Sequence, residues 1–213
     1  MRLKNVKGAA DKVETSGFVI HDATEHKGNW NNIFGNDKPL HVEIGMGKGR
    51  FITTLAKQNP DVNYLGIERY SSVLVRAIEK REAEEEPVSN LFFLCEDAEN
   101  ITDMFGEGEV GRIYLNFSDP WPKARHAKRR LTSKEYLVKY DRILDRDGRI
   151  VFKTDNRDLF DFSVEEMQEN GWTLETETYD LHKSELAPTN VMTEYEEKFS
   201  ALGNKICCLI AKR

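Results

Sequence analysis

The sequence predicts a single α/β domain built on a mostly parallel sheet, and three observations point there. Short runs rich in β-branched and aromatic residues alternate with longer runs of helical period, the pattern of βαβ units rather than of an all-β or all-α chain. A glycine-rich turn, Gly45-Met46-Gly47-Lys48-Gly49, directly follows the first such run and opens a helical one. At 213 residues and 39% hydrophobic, the chain can bury one sizeable core but is short for two full domains.

Residues 1–38 carry no clean period and read as an N-terminal arm ahead of one domain over 39–213. Leu40 to Ile44 is the first strand. Arg50 to Gln58 then places Phe51, Ile52, Leu55 and Ala56 on one side of a helix that Asn59-Pro60-Asp61 ends. Asn63 to Ile67 is the second strand, after which Ser71 or Ser72 is expected to cap a helix with Val73, Leu74, Ala77 and Ile78 inward. Leu91 to Cys95 is the third strand and Arg112 to Phe117 the fourth. Thr132 with Glu135 reads as a capping box for a helix stopped at Gly148. Arg149 to Lys153 follows as strand five, then a helix from Leu159 to Asn170 capped by Asp155 or Asn156. Two more strands, near Trp172 to Tyr179 and Lys205 to Ala211, bring the total to seven. The interval from His182 to Gly203 is too long for an idle connector, so it is a functional loop or locally helical.

A net charge of −6 argues against a protein that coats nucleic acid indiscriminately. The charges are segregated, however. Acid collects in Glu82 to Glu86 and Glu165 to Glu177, while Arg2, Lys4, Lys7, Lys12 and the run Lys123 to Arg130 carry the opposite sign. No apolar run reaches the roughly 18 residues of a membrane span, and Met1 to Ile20 lacks a secretory core, so a cytoplasmic protein is expected. Cys95, Cys207 and Cys208 suit reduced, buried thiols, and the five scattered histidines give no ligand spacing, so no metal is expected.

The glycine turn is either a tight strand-to-helix connection or a place where a ligand approaches the backbone and meets free N–H groups. Glu68 ends the second strand about 20 residues later, where a carboxylate accepts ribose hydroxyls in doubly wound folds. Asp97, beyond the third strand, is either an acceptor for an adenine amino group or a helix cap. The Gly-x-Gly-x-Gly spacing, with Arg50 in the slot where the dinucleotide fingerprint wants glycine, favours a nucleoside without a pyrophosphate. S-adenosylmethionine meets that description.

The fourth strand runs into Asn116-Phe117-Ser118-Asp119-Pro120-Trp121-Pro122 and then into Lys123, Arg125, His126, Lys128, Arg129 and Arg130. Asp-Pro alone is a common surface turn, and a charge run is commonly a solvated face. A carboxylate, an aromatic face and phosphate-binding cations in fifteen residues are, together, what an extruded RNA base requires.

Asn-Phe-Ser-Asp-Pro-Trp-Pro-Lys at 116–123 and His126-x-Lys128-Arg129-Arg130, with Glu43-Ile44-Gly45-x-Gly47-x-Gly49 upstream and Thr193-Glu194-Tyr195-Glu196 downstream, resemble the bacterial tRNA (guanine-N7-)-methyltransferase family from about Trp30 to the end of the chain. The resemblance implies a Rossmann-like class I methyltransferase fold: a seven-stranded, mostly parallel sheet with an antiparallel last strand and helices on both faces. It further implies S-adenosylmethionine as methyl donor and the variable-loop guanine of tRNA, position 46, as acceptor. By the same resemblance Glu43, Gly45, Gly47, Gly49, Glu68, Asp97 and Asp119 match cofactor contacts, and Asp119 is also the catalytic residue. Lys123, Asp155, Thr193, Glu194, Tyr195 and Glu196 match substrate contacts, and Arg125, His126, Ala127, Lys128, Arg129 and Arg130 the RNA-interacting segment. Tyr195 is expected to stack, Thr193 and Glu196 to bond the guanine edge, and Asp155 to contact base or ribose, to cap a helix, or both.

Guanine N7 has an in-plane lone pair and no proton, so no general base is needed, and a fixed carboxylate would stabilise the charge that develops on the purine. Two alternatives stay open: an adenine amino-group methyltransferase, against which the second proline stands after rather than before the aromatic, and a non-catalytic RNA-binding partner that keeps the fold. The chain is expected to be a monomer or a homodimer.

Overall fold

In a computed structural model, residues 6–213 are described, and they form two compact units, one ending at Gly106 and the other running from Glu107 to Arg213. Arg2 and Lys4, half of the expected N-terminal cationic group, lie outside the described residues.

In the first unit, β1 (Leu40–Ile44), β2 (Asn63–Ile67) and β3 (Leu91–Leu94) pair in parallel, with Ile44 level with Ile67 and Ile67 level with Leu94. Such a ladder needs crossovers, which α3 (Arg50–Gln58) and α4 (Ser71–Glu82) supply. Strand β2 is buried at every position, as expected where helices cover both faces. On α3 the buried residues are Phe51, Ile52 and Ala56; on α4 they are Leu74, Val75, Ala77, Ile78 and Arg81. Neither Ser71 nor Ser72 is the cap of α4. The cap position belongs to Tyr70, whose own N–H is taken by the Glu68 carboxylate.

The segment before β1 is folded onto this unit. α1 (Ala9–Glu14) lies against α4, and Val19 bridges to Phe93 beside β3, with Ile20 N–H donating to the Phe93 carbonyl. A short helix, α2 (Trp30–Phe34), buries Trp30 to 1% exposure against Phe105, and the indole N–H donates to the Met104 carbonyl at 3.0 Å at the end of α5 (Ile101–Met104).

In the second unit, β4 (Val110–Asn116) and β5 (Leu144–Thr154) are parallel, with Asn116 level with Lys153. β7 (Cys207–Lys212) runs antiparallel to both β5 and the edge strand β6 (Thr173–Thr178). β6 alternates exposed and half-buried residues, the pattern of a sheet edge with one wet face. Helix α6 (Lys134–Ile143) ends at Ile143, not Gly148, because Leu144 already begins β5. The expected capping box is absent. Thr132 instead bonds Ser163 at 2.6 Å, and Glu166 of α7 (Arg157–Glu169) accepts the Lys134 N–H at 2.7 Å, so a neighbouring helix caps this one. The late interval is locally helical, with two single-turn 3₁₀ segments and α8 (Glu194–Ser200). Among the described residues, no helix is long and apolar enough to cross a membrane.

Candidate active site

Parallel pairing puts the carboxyl ends of β1, β2 and β3 at one level, so the residues that follow each strand are neighbours. In the turn after β1, Gly45, Gly47 and Gly49 all have left-handed φ values of 73°, 59° and 76°. They do different work. A Cβ on Gly45 or Gly47 would meet nothing within 4 Å, whereas one on Gly49 would lie 2.9 Å from the Ala77 Cβ on α4. Gly49 is therefore a packing glycine, and Gly45 and Gly47 border open space.

The turn does not offer the free N–H groups that its composition suggested. Gly45 and Met46 donate to the Ile67 carbonyl at 2.9 and 3.0 Å, Gly49 donates to the Met46 carbonyl, and Gly47 donates to the Glu68 carboxylate at 3.1 Å. With those amides engaged, and one of them by an anion, a phosphate is poorly served. Glu68 is 7% exposed and accepts from both Gly47 and Tyr70, which leaves part of its acceptor capacity for hydroxyl donors. Burial pushes its pKa up, against the pull of those backbone N–H groups and of Arg69. These features fit S-adenosylmethionine: a carboxylate acceptor beside a turn whose glycines leave one side open, with no phosphate cradle.

Asp97 realises the cap reading, since one oxygen accepts the Glu99 N–H at 3.0 Å and the other faces Arg69 at 3.3 Å. It remains half-buried, with acceptor capacity to spare. Glu43 is 1% exposed within β1.

In the second unit, the Phe117 N–H donates to the Lys153 carbonyl at 2.8 Å, which holds the turn after β4 beside the end of β5. Phe117 and Trp121 have φ values of 52° and 41°, a region that bulky residues enter at a cost of about 1–3 kcal/mol each. Asp119 stands exposed between them. The basic segment is a 3₁₀ helix from Ala124 to Arg129 with no buried residue. It divides by contact. Lys123, Arg125 and Lys128 are exposed; the Arg129 guanidinium lies 5.0 Å from the Trp121 ring centroid; His126 meets that ring edge-on at 5.8 Å. Arg130 turns inward, donating to the carbonyls of Pro120 and Trp121 at 3.0 and 3.2 Å. Ala127 offers only its backbone to this segment, accepting the Arg130 N–H.

At the end of β5, Asn156 caps α7 through the Leu159 N–H. Asp155 is thereby free of capping duty and instead accepts from Asn204 at 3.0 Å and from the Tyr195 hydroxyl at 3.3 Å. Tyr195 is 42% exposed, 4.8 Å from Phe117 and stacked at 4.1 Å on Phe199. Burial and then the Asp155 charge push its phenol pKa up, so the hydroxyl stays a donor.

The neighbours of Tyr195 point the other way. Thr193 caps α8 by accepting the Glu196 N–H, and Glu196 is 0% exposed. Its carboxylate receives Lys153 at 2.7 Å, His182 at 2.9 Å and Asn190 at 2.6 Å. Burial alone would raise its pKa, but the Lys153 charge and these hydrogen bonds bring it below the ordinary value. Glu194 sits in the first turn of α8, half-buried. Sequence reasoning missed Phe117, Lys153, His182 and Asn204: a lysine or histidine carries no local sign of a carboxylate partner more than ten residues away.

The chain matches the family described as putative methyltransferase over residues 37–209. It is 59% identical to the tRNA (guanine-N(7)-)-methyltransferase of Lachnoclostridium phytofermentans over 213 residues, covering 100% of this chain and 99% of that protein. The enzyme of the same name from Bacillus subtilis is 50% identical over 207 residues, covering 97% and 96%. The chain belongs to the bacterial tRNA (guanine-N7-)-methyltransferase family. Solved structures agree on the fold, a seven-stranded mixed sheet of the class I methyltransferase type. An antibiotic-related methyltransferase superposes with a TM-score of 0.65 at 18% identity, over 97% of each chain. A 16S rRNA (adenine(1408)-N(1))-methyltransferase from Catenulisporales acidiphilia, solved with its cosubstrate, gives 0.57 at 13% identity over 91% of this chain and 92% of that one.

Proposed function

We propose that this chain methylates N7 of guanine 46 in the variable loop of tRNA in the cytoplasm, using S-adenosylmethionine. The observation that carries the reading is the near-complete match to relatives of that name together with a turn that offers a ribose acceptor and open glycines but few free amides. Glu68 would hold the ribose hydroxyls, with Gly45 and Gly47 giving the close approach, and Asp97 and Glu43 would complete the cofactor contacts. When bound, the cofactor would supply an electrophilic sulfonium methyl group, whose carbon the neutral ring nitrogen can attack as sulfur leaves with the bonding pair as a neutral thioether.

The chain's own part is to hold the base and to stabilise charge. Asp119 accepts from guanine N1–H and the exocyclic amino group and offsets the positive charge that appears on the purine as N7 is alkylated. N7 carries no proton, so no side chain need act as a base, and orientation supplies much of the rate. Tyr195, braced by Phe117 and Phe199, gives an aromatic face to the base, and Asp155 fixes the Tyr195 hydroxyl while keeping acceptor capacity for base or ribose. Thr193 and Glu196 act from beneath, by capping and anchoring α8. Lys123, Arg125 and Lys128 are exposed cations that would meet the RNA backbone.

Incubation with unmodified tRNA and labelled S-adenosylmethionine, followed by mapping of the modified atom, tests the reading. Label at guanine N7 of the variable loop is expected. Label on an adenine amino group would favour the other enzyme reading, and cofactor binding without transfer the non-catalytic one.

A further inference from the structure

The turn that carries Asp119 enters and leaves through left-handed residues that are not glycine, Phe117 and Trp121. A turn of that kind persists only where surrounding contacts hold it. Arg130 is the most direct of them. Its Nε donates to the Pro120 carbonyl at 3.0 Å and its Nη2 to the Trp121 carbonyl at 3.2 Å, so one rigid group grips the peptide planes on both sides of Trp121. The guanidinium itself lies 4.2 Å from the ring centroid of Phe162 on α7, which fixes its plane. The Nε/Nη2 edge is the side of an arginine that takes a phosphate bidentately, and here it is occupied by backbone. Lys123, Arg125 and Lys128, in the same basic run, are exposed.

We infer that Arg130 is a positioning residue for the methyl transfer and not an RNA-backbone contact: with Phe162 it holds the Pro120–Trp121 turn so that Asp119 stands in one place relative to the base. This rests on the function proposed above. A lysine keeps the charge at this site but cannot span two carbonyls with a planar fork. Charge and geometry can therefore be separated.

The test compares Arg130→Lys, Phe162→Leu and their double variant with the wild-type enzyme, measuring kcat and KM with unmodified tRNA and the salt dependence of tRNA affinity. S-adenosylmethionine binding by calorimetry checks folding. Arg130→Lys is expected to lower kcat by about tenfold or more, with the KM for tRNA and the slope of log K against log salt unchanged. Phe162→Leu should lower kcat in the same sense, and the double variant should lose less than the product of the two. Phe162 carries no charge, so it keeps the test decisive if the arginine variant folds poorly. Arg130→Gln extends the series by removing the charge: a slope flattened by about one unit, as for one lost phosphate contact, with kcat at saturating tRNA intact, overturns the inference. Wild-type kcat in both Arg130→Lys and Phe162→Leu overturns it as well. Absence of tRNA methylation by the wild-type enzyme would instead count against the function proposed above.

Discussion

The turn at Gly45–Gly49 and the turn at Phe117–Trp121 both end a parallel strand and lead into a helical segment, yet they bend the chain by opposite means. The first uses three glycines in the left-handed region, where backbone without a Cβ bends freely, and four of its amides are taken up, one within the turn by Met46 and three by Ile67 and Glu68 at the end of β2. The second forces an aromatic residue into that region at each end and is held by one backbone bond to Lys153 and otherwise by side chains: Arg130 on its carbonyls, Arg129 and His126 on the Trp121 ring, Tyr195 on Phe117. A glycine turn tolerates change around it but not within it. A braced turn depends on residues scattered over the fold, and those are the ones that a local motif does not reveal.

The largest effect expected from breaking this contrast is on chemistry. Asp119→Ala should cut methyl transfer by about 10²–10³-fold or more, the scale for removing a charge-stabilising group, while melting stays near wild type because Asp119 is exposed. Unchanged turnover would remove it from the mechanism. Next comes the buried support of the second turn. Lys153 and Glu196 are 3% and 0% exposed at their side chains, so Lys153→Met should cost about 3–5 kcal/mol, the penalty for stranding a buried charge. Denaturant unfolding measures this, and adding Glu196→Gln should recover part of the loss.

Within the glycine turn, two alanines should separate its functions. Gly49→Ala combines left-handed strain with the 2.9 Å approach to Ala77 and should destabilise by about 1–3 kcal/mol. Gly45→Ala meets open space, so it should cost about 1–2 kcal/mol from strain and show its main effect as weaker S-adenosylmethionine binding. Thermal melts with and without cofactor distinguish them, and equal behaviour would remove the packing-versus-ligand division.

The smallest effects come from acidification, and the two carboxylates have opposite signs. Burial, opposed by backbone hydrogen bonds, raises Glu68 above its ordinary value of 4.5, so its contribution to folding is greatest below 4.5 and is lost as pH rises through the raised value. If Glu68 is the ribose acceptor, cofactor affinity should run the other way, falling as pH drops through that value, because the ionised form would accept the ribose hydroxyls. Glu196 is depressed, so its contribution is present above 4.5 and is lost as pH falls through its lower folded value. Calorimetric S-adenosylmethionine binding that stays flat from neutral pH down to 4.5 would dismiss Glu68 as the ribose acceptor.

Residues that act through a local pattern were legible in the sequence. The alternation of apolar runs placed all seven strands to within a few residues, with larger shifts only where β5 begins at Leu144 and absorbs the Gly148 turn. The glycine spacing and Glu68 stood out as candidate residues in the first unit, and Asp119 with its prolines in the second. Helix caps were less legible. Thr132, Ser71 and Ser72 have cap-forming side chains, but Glu166 supplies the contact at α6, and Tyr70 occupies the cap position of α4.

Strand order along the chain, the glycine turn and the cationic run follow from sequence alone, because period, backbone freedom and charge are properties of neighbours in the chain. Tertiary structure alone decided which cation grips the Pro120–Trp121 turn while Lys123, Arg125 and Lys128 stay exposed, that Asn156 rather than Asp155 caps α7, and that Glu196 lies buried against Lys153 while Tyr195 faces outward. Those outcomes turn on which of several possible hydrogen-bond partners the fold brings within reach, Asn204 and Tyr195 for Asp155 and Lys153 for Glu196 being distant in sequence, and burial penalises a polar group left without a partner.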